Sequence, residues 1–254
     1  MLATRQLRDP ISKLVVRAAS SSYEAYEAIA FRSQTFGRMA SPPAHSDGDQ
    51  FDGEFEHILI QDSQTGDLVG VVRVRSYRNP CEILSGYTGS FYDLTPLTVH
   101  HSSLMEMGRL CVPQKKMVPA VVRLLWAYLI SLSQITNASA IFGCTSFLGN
   151  NPYLHQGALR YLARTSVGPS ERVPIVKATN VVKFDELLES KCHDTASLAQ
   201  VPHLMRSYLA MGAWVSDHAV VDDFLDTVHV FTAIELENIP ANRMRVMRNL
   251  LSEC

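Results

Sequence analysis

Glu106 and Arg109 are the two charged residues inside an apolar run of strand length, Leu104-Met105-Glu106-Met107-Gly108-Arg109-Leu110-Cys111-Val112. Charge inside such a run is costly unless it is paired or put to use. A carboxylate there can hold or take a proton, and a guanidinium can grip a carboxylate through two parallel hydrogen bonds. In an ideal strand, residues three apart point to opposite faces. Gly108 lies between the two, and a bulge at that glycine would turn both charges to one side. A structural Glu–Arg pair is the alternative reading. Burial among Leu104, Met105 and Met107 raises the pKa of a glutamate and a neighbouring arginine lowers it, so the two influences on Glu106 oppose each other. The run ends at Pro113-Gln114-Lys115-Lys116, and Val118 to Gln134 then read as one long helix. A central strand, a basic turn and a helix start together suit an anionic ligand.

Other elements must position these groups. Lys13 to Ala18 reads as a strand, and Ser20 or Ser22 can cap a helix from Tyr23 to about Phe36. Tyr26, Ile29, Ala30 and Phe36 recur there at helical spacing and are expected to face a core. Arg32 and Phe36 lie one turn apart and share a face. Met39 to Gly53 is a polar loop carrying Asp47, Asp49 and Asp52. Glu56 to Asp62 and Leu68 to Tyr77 form a hairpin around Gln64-Thr65-Gly66-Asp67, with Arg73 and Arg75 on one strand face. Asn79 to Thr98 is irregular with aromatic anchors. A strand at Ser139 to Phe147, a helix at Leu154 to Arg164, a strand within Ile175 to Lys183, a helix at Pro202 to Met211, strands at Ala213 to Val221 and Val228 to Glu237, and a basic amphipathic helix at Ala241 to Leu251 follow. Interleaved strands and helices with a hairpin make an α/β (α+β) chain, a mixed sheet covered by helices.

Composition narrows the partners. The chain has 254 residues, 46% of them hydrophobic, enough for one large domain. A net charge of −2 gives no ground for nucleic acid as a partner. Five cysteines without a CxxC suit a reducing compartment, and the histidines lack metal-ligand spacing, so no metal is expected. No apolar leader opens the sequence, and Met117 to Ser133 is interrupted by Pro119 and Arg123. The expected location is cytoplasmic, or peripheral at the inner membrane. Cys111 and Cys144 sit in apolar strands without a sequence-local base, which argues against a covalent acyl-cysteine.

An ordered set of motifs runs through the chain: Phe51-Asp52, Glu56-His57-Ile58-Leu59, Thr65-Gly66-Asp67-Leu68-Val69-Gly70, the run around Glu106, Leu125-Trp126, Phe142 to Phe147 with Asn151-Pro152, Pro202-His203-Leu204, Tyr208-Leu209, Gly212-Ala213 and Val221-Asp222. This set resembles the bacterial acyl-carrier-protein-dependent N-acyltransferases of the GNAT superfamily. Within them it is most similar to the ornithine N-acyltransferases that make lyso-ornithine lipid, and it is related to the synthases of glutamine lipids. The resemblance spans about Lys13 to Phe231.

It implies a single GNAT-like domain over residues 1–254, with a core of about 13–235 and a C-terminal helix at 241–251. The fold implied is a mixed, mainly antiparallel twisted sheet flanked by helices. It also implies a reaction: transfer of a (3-hydroxy)fatty acyl group from acyl carrier protein to the α-amine of L-ornithine, with no tightly bound cofactor and acyl-phosphopantetheine as co-substrate. Glu106 would be the base, aided by Arg109 and by backbone loosened at Gly108. Arg32, Phe36, Asp49, Asp52 and Arg73 would form the substrate constellation. Gln114 to Ala120 holds none of the glycines that wrap coenzyme A in other GNAT enzymes, so Lys115, Lys116 and Arg123 would meet a phosphopantetheine phosphate or the acidic carrier protein. Where ornithine enzymes carry Phe-Asn-Thr-Thr-Asp, this sequence reads Phe224-Leu225-Asp226-Thr227-Val228, which leaves glutamine or another amino acid open. A non-catalytic acyl or carrier-protein binding module is the second reading. The helix with Arg243, Arg245 and Arg248 is expected to cap the domain, and lying on an anionic membrane is its alternative.

Overall fold

The computed structural model describes residues 6–9, 11–37, 47–189 and 196–252. Part of the polar loop of Met39 to Gly53, and Cys192 and Cys254, lie outside the described residues. The elements are β1 (Leu7–Asp9), β2 (Leu14–Ala18), α1 (Ser22–Gly37), β3 (Glu56–Asp62), β4 (Leu68–Tyr77), β5 (Tyr92–Asp93), α2 (Thr95–His100) and β6 (Leu104–Cys111). After these come α3 (Val118–Thr136), β7 (Ala140–Leu148), α4 (Gln156–Thr165), β8 (Ile175–Val176) and β9 (Val181–Lys183). The chain continues with α5 (Phe184–Glu189), α6 (His203–Leu209), β10 (Trp214–Asp222), β11 (Thr227–Glu235) and α7 (Ala241–Ser252). The fold divides into two compact units: Met1–Ser76 with Met107–Asn137 and Ala241–Cys254, and Tyr77–Glu106 with Ala138–Pro240. The chain changes unit inside β6, between Glu106 and Met107.

In the first unit, β1 to β4 pair antiparallel in sequence order. Gly66 takes a φ of +81° in the β3–β4 turn, a conformation that costs a residue without Cβ little. α3 is apolar on nearly every side. Pro119 opens it, and Asn137 ends it in the left-handed conformation. By length and composition the stretch Lys115–Thr136 is long and apolar enough to cross a membrane. Its side chains from Val121 to Leu132 are instead mostly buried within this unit. α7 packs on α3 with Met247 and Leu250 buried and Arg243, Arg245 and Arg248 exposed, the capping arrangement.

One local expectation is corrected here. Tyr26 is 68% exposed, and the buried stripe of α1 is Ala28, Arg32 and Thr35, spaced by four and three residues. The helix is rotated so that its one buried charge reaches its partners, which outweighs burial of a tyrosine. In β6 the left-handed residue is Arg109, with φ +56°, and Gly108 is not among the positive-φ glycines.

In the second unit, Leu104–Glu106 of β6 pairs in parallel with Ala140–Phe142 of β7. β7, β11, β10 and β9 then pair antiparallel in that order, with a bulge between Val215 and Ala219. Tyr77, Ile83, Tyr92, Leu94, Leu97, Phe142 and Phe231 form one core cluster. Phe147, Leu159, Leu162, Met205 and Val215 anchor another. The expected strand within Ile175 to Lys183 is split into β8, which pairs with β5, and β9, which edges β10.

Candidate active site

In the first unit, the aspartate loop folds back on α1. Asp49 accepts a hydrogen bond from the Phe51 N–H at 3.0 Å, and Asp52 accepts one from the Asp49 N–H at 2.9 Å. The first is an Asx turn, in which a short carboxylate replaces a backbone acceptor, and in the second Asp52 reaches three residues back to the loop. The Asp47 N–H donates to Ser33 Oγ, pinning the loop to the helix next to Arg32.

The result is a closed ring of alternating charge. Arg32 binds Asp47 at 2.7 Å, and Asp47 binds Arg109 at 3.0 Å. Arg109 binds Asp49 at 3.1 Å, and Asp49 binds Arg73 at 2.6 Å. Arg73 binds Asp52 at 2.9 Å, and Asp52 returns to Arg32 at 2.9 Å. The Arg73–Asp49 contact is bidentate, and the Arg73 guanidinium also lies over the Phe55 ring at 4.8 Å. Left-handed backbone at Arg109 costs roughly 1–2 kcal/mol, and the ring contacts hold it there.

Burial pushes the Asp52 and Asp49 carboxyls up, but the guanidinium hydrogen bonds outweigh it and both stay below the ordinary range, Asp52 by the larger margin. Burial lowers the pKa of His57, whose Nε2 lies 3.2 Å from the Asp52 carbonyl oxygen.

Arg32, Asp49, Asp52, Arg73 and Arg109 are thus brought together, and Asp47 completes them. Phe36 packs in a cluster with Ala28, Leu59, Val71 and Cys111. A Cβ at Gly108 would lie 3.9 Å from Arg73 Nε, so the chain passes close beside that guanidinium. Lys115 and Lys116 are exposed in a helical turn just before α3. Arg123 is turned to Asp9, whose carboxylate is buried. Burial raises the Cys111 thiol to about 11, so it is protonated at neutral pH.

In the second unit, Glu106 is 1% exposed and its carboxylate is held by two neutral donors. Tyr77 Oη donates to Oε2 at 2.5 Å, and the Thr88 N–H donates to Oε1 at 2.6 Å. Tyr77, Thr88 and Gly86 are the site residues that sequence reasoning missed. For Tyr77 a signal existed: the alternation that picks out Arg73 and Arg75 along β4 reaches Tyr77 as its next member. Nothing local announces a peptide N–H of an irregular segment. Cys144 Sγ lies 3.8 Å from Thr88 Oγ1. Among the described residues, no group of His, Cys, Asp and Glu could hold a metal ion.

Comparison with known proteins adds four findings. Residues 28–127 match the family model described as Acetyltransferase (GNAT) domain. The L-ornithine N(alpha)-acyltransferase of Brucella abortus (strain 2308) is 26% identical over 200 residues, 76% of this chain and 71% of its own. The protein of the same name from Rhizobium meliloti (strain 1021) is 28% identical over 249 residues, 90% of this chain and 82% of its own. The crystal structure of TofI in an apo form superposes with a TM-score of 0.50 at 13% identity, covering 92% of this chain and 95% of that one.

Proposed function

We propose that this chain, which is a GNAT-fold acyltransferase, moves a (3-hydroxy)fatty acyl group from acyl carrier protein to the α-amine of an amino acid, with Glu106 as the proton acceptor. The observation that carries the reading is a buried carboxylate on β6, fixed by Tyr77 and by the Thr88 N–H. Two well-covered relatives named L-ornithine N(alpha)-acyltransferase support an amino-acid acceptor, with L-ornithine the first choice.

The step balances without a covalent enzyme intermediate. The acceptor's α-ammonium gives one proton to Glu106. The freed amine attacks the thioester carbonyl, the C–N bond forms, and the C–S bond breaks as the tetrahedral intermediate collapses. The second nitrogen proton leaves with the phosphopantetheine thiolate. Arg109 and Gly108 sit just beyond Glu106 in the same strand, where irregular backbone would help steady the oxyanion.

In this reading the ion ring is a scaffold with an accessible edge. Asp49 and Arg109, whose side chains are 19% and 11% exposed, are its most open members. Arg32 and Asp52 hold that edge from behind.

One observation favours a different acceptor. The three aspartates are already matched by three arginines, so the loop offers no carboxylate in reserve for an ornithine side-chain ammonium. Glutamine, with a neutral side chain, would need none. Lys115 and Lys116 would receive the donor's phosphate, and the product, an amphiphile, would pass from the cytoplasm to the inner membrane.

Purified protein incubated with 3-hydroxyacyl carrier protein and a panel of amino acids tests the reading. An N-acyl product with one preferred amino acid is expected, unaffected by excess coenzyme A. Absence of amide in every mixture would favour a carrier-protein binding module and overturn the proposal.

A further inference from the structure

We infer that Tyr77, acting with the Thr88 peptide and the bare Cα of Gly86, is the positioning group that aims the Glu106 carboxylate and keeps it ionised for the acyl-transfer step. The inference rests on the reading of Glu106 as proton acceptor.

The two donors take different oxygens, Tyr77 Oη on Oε2 and the Thr88 N–H on Oε1, so together they fix the rotation of the carboxylate plane. Both are held from behind. The Tyr77 ring stacks on Phe142, and Phe142 stacks on Phe231 of β11. Ser103 Oγ donates to the Tyr77 carbonyl at 3.0 Å. On the other side, Pro80–Ser85 forms a helical turn, and the Gly86 N–H closes it onto the Ile83 carbonyl. Lys177 Nζ then grips the Gly89 carbonyl at 2.5 Å.

Gly86 shows how closely backbone and carboxylate meet. A Cβ there would run into Tyr77 Oη and lie 2.6 Å from Glu106 Oε2. The backbone at Gly86 is extended, so it is space rather than conformation that demands glycine.

Chemistry follows from the two hydrogen bonds. Hydrogen bonds to a carboxylate favour its ionised form. A base at 1% exposure that lacked them would resist ionisation. Tyr77 thereby sets the pH at which Glu106 becomes competent.

Tyr77→Phe keeps the ring on Phe142 and deletes the donor. The acid limb of the kcat–pH profile is expected to move to higher pH by roughly one to two units, the size of one hydrogen bond to a charged group, with KM for both substrates unchanged. Replacing Tyr77 by 3-fluorotyrosine, a more acidic phenol of nearly the same shape, should move the limb the other way, and it serves if the phenylalanine variant fails to fold. Gly86→Ala should cut kcat toward the level of Glu106→Gln. A folded Tyr77→Phe with an unmoved acid limb, beside an inactive Glu106→Gln, overturns the positioning role and leaves the base in place. Wild-type turnover in Glu106→Gln overturns both.

Discussion

The ring of the first unit and the cradle of the second bury carboxylates in opposite ways. Asp47, Asp49 and Asp52 are surrounded by guanidinium groups, charge against charge, around a closed circuit. Glu106 is gripped by a phenol and a peptide N–H. Opposite charges hold a carboxylate tightly but cancel it and pull its pKa down, which makes it a good strut and a poor base. The Tyr77 and Thr88 hydrogen bonds fix the geometry of Glu106 and favour its ionised form. In the proposed function the first set is structural and the second transfers the proton.

The largest expected effect tests the cradle. Glu106→Gln preserves shape and removes the base, and turnover should fall by about a hundredfold to ten-thousandfold with little change in KM. If the loss appeared in KM alone, Glu106 would be a binding residue and the contrast would break. The ring should answer in stability. Arg32 is fully buried and serves both Asp47 and Asp52. Arg32→Met leaves two buried carboxylates short of a partner, and denaturant unfolding should show a loss of about 3–5 kcal/mol. A loss below about 1 kcal/mol would mean that the ring is not a strut.

Legibility in the sequence follows the same division. Arg109 was visible as a charge in a place where charge is expensive, whereas Arg32, Asp49, Asp52 and Arg73 were legible as a set only through the family resemblance. The hairpin and the long helix were visible because periodicity and turn chemistry are local. Tyr26 misled because helical spacing finds a face only when apolar residues decide it, and here Arg32 decides. The positive φ of Arg109 was not legible either: tertiary ion pairs can hold strain that a single sequence does not display. Thr88 and Gly86 were beyond reach, since they contribute a peptide N–H and an absent side chain. α2 was hidden in a segment only six residues long.

A pH titration of stability separates the aspartates of the ring from His229. Burial, reinforced by His218, holds the His229 pKa down at about 4, and its Nδ1 lies 3.2 Å from Tyr92 Oη. Below about pH 6.5 the unfolded chain takes up a proton that folded His229 refuses, so stability is lost as pH falls from there to about 4. The span is worth up to about 3 kcal/mol. His57 and His101, also lowered by burial, add in the same direction. For Asp49 and Asp52 the folded pKa lies below the unfolded one, so their contribution is complete above about pH 4 and fades only below it. His229→Gln should therefore flatten the stability profile between pH 6.5 and 4 and leave the steeper fall below pH 4 intact. An unchanged slope in the upper window would mean that His229 is protonated in the folded protein as readily as in the unfolded one.

The smallest effect expected lies outside both constellations, where charge is neither cancelled nor cradled. Lys115 and Lys116 are exposed just before α3, and their field is screened by salt. Reversing both, Lys115→Glu with Lys116→Glu, should weaken apparent affinity for acyl carrier protein by about tenfold at low ionic strength and by less at physiological salt, with kcat at saturating donor nearly unchanged. Arg123 should not share in this, because its guanidinium is committed to Asp9. Arg123→Gln is expected to lower stability through that buried carboxylate and to leave carrier-protein affinity alone. If instead Arg123→Gln weakened donor binding while the lysine pair did not, the donor would approach along the flank of α3 rather than its start.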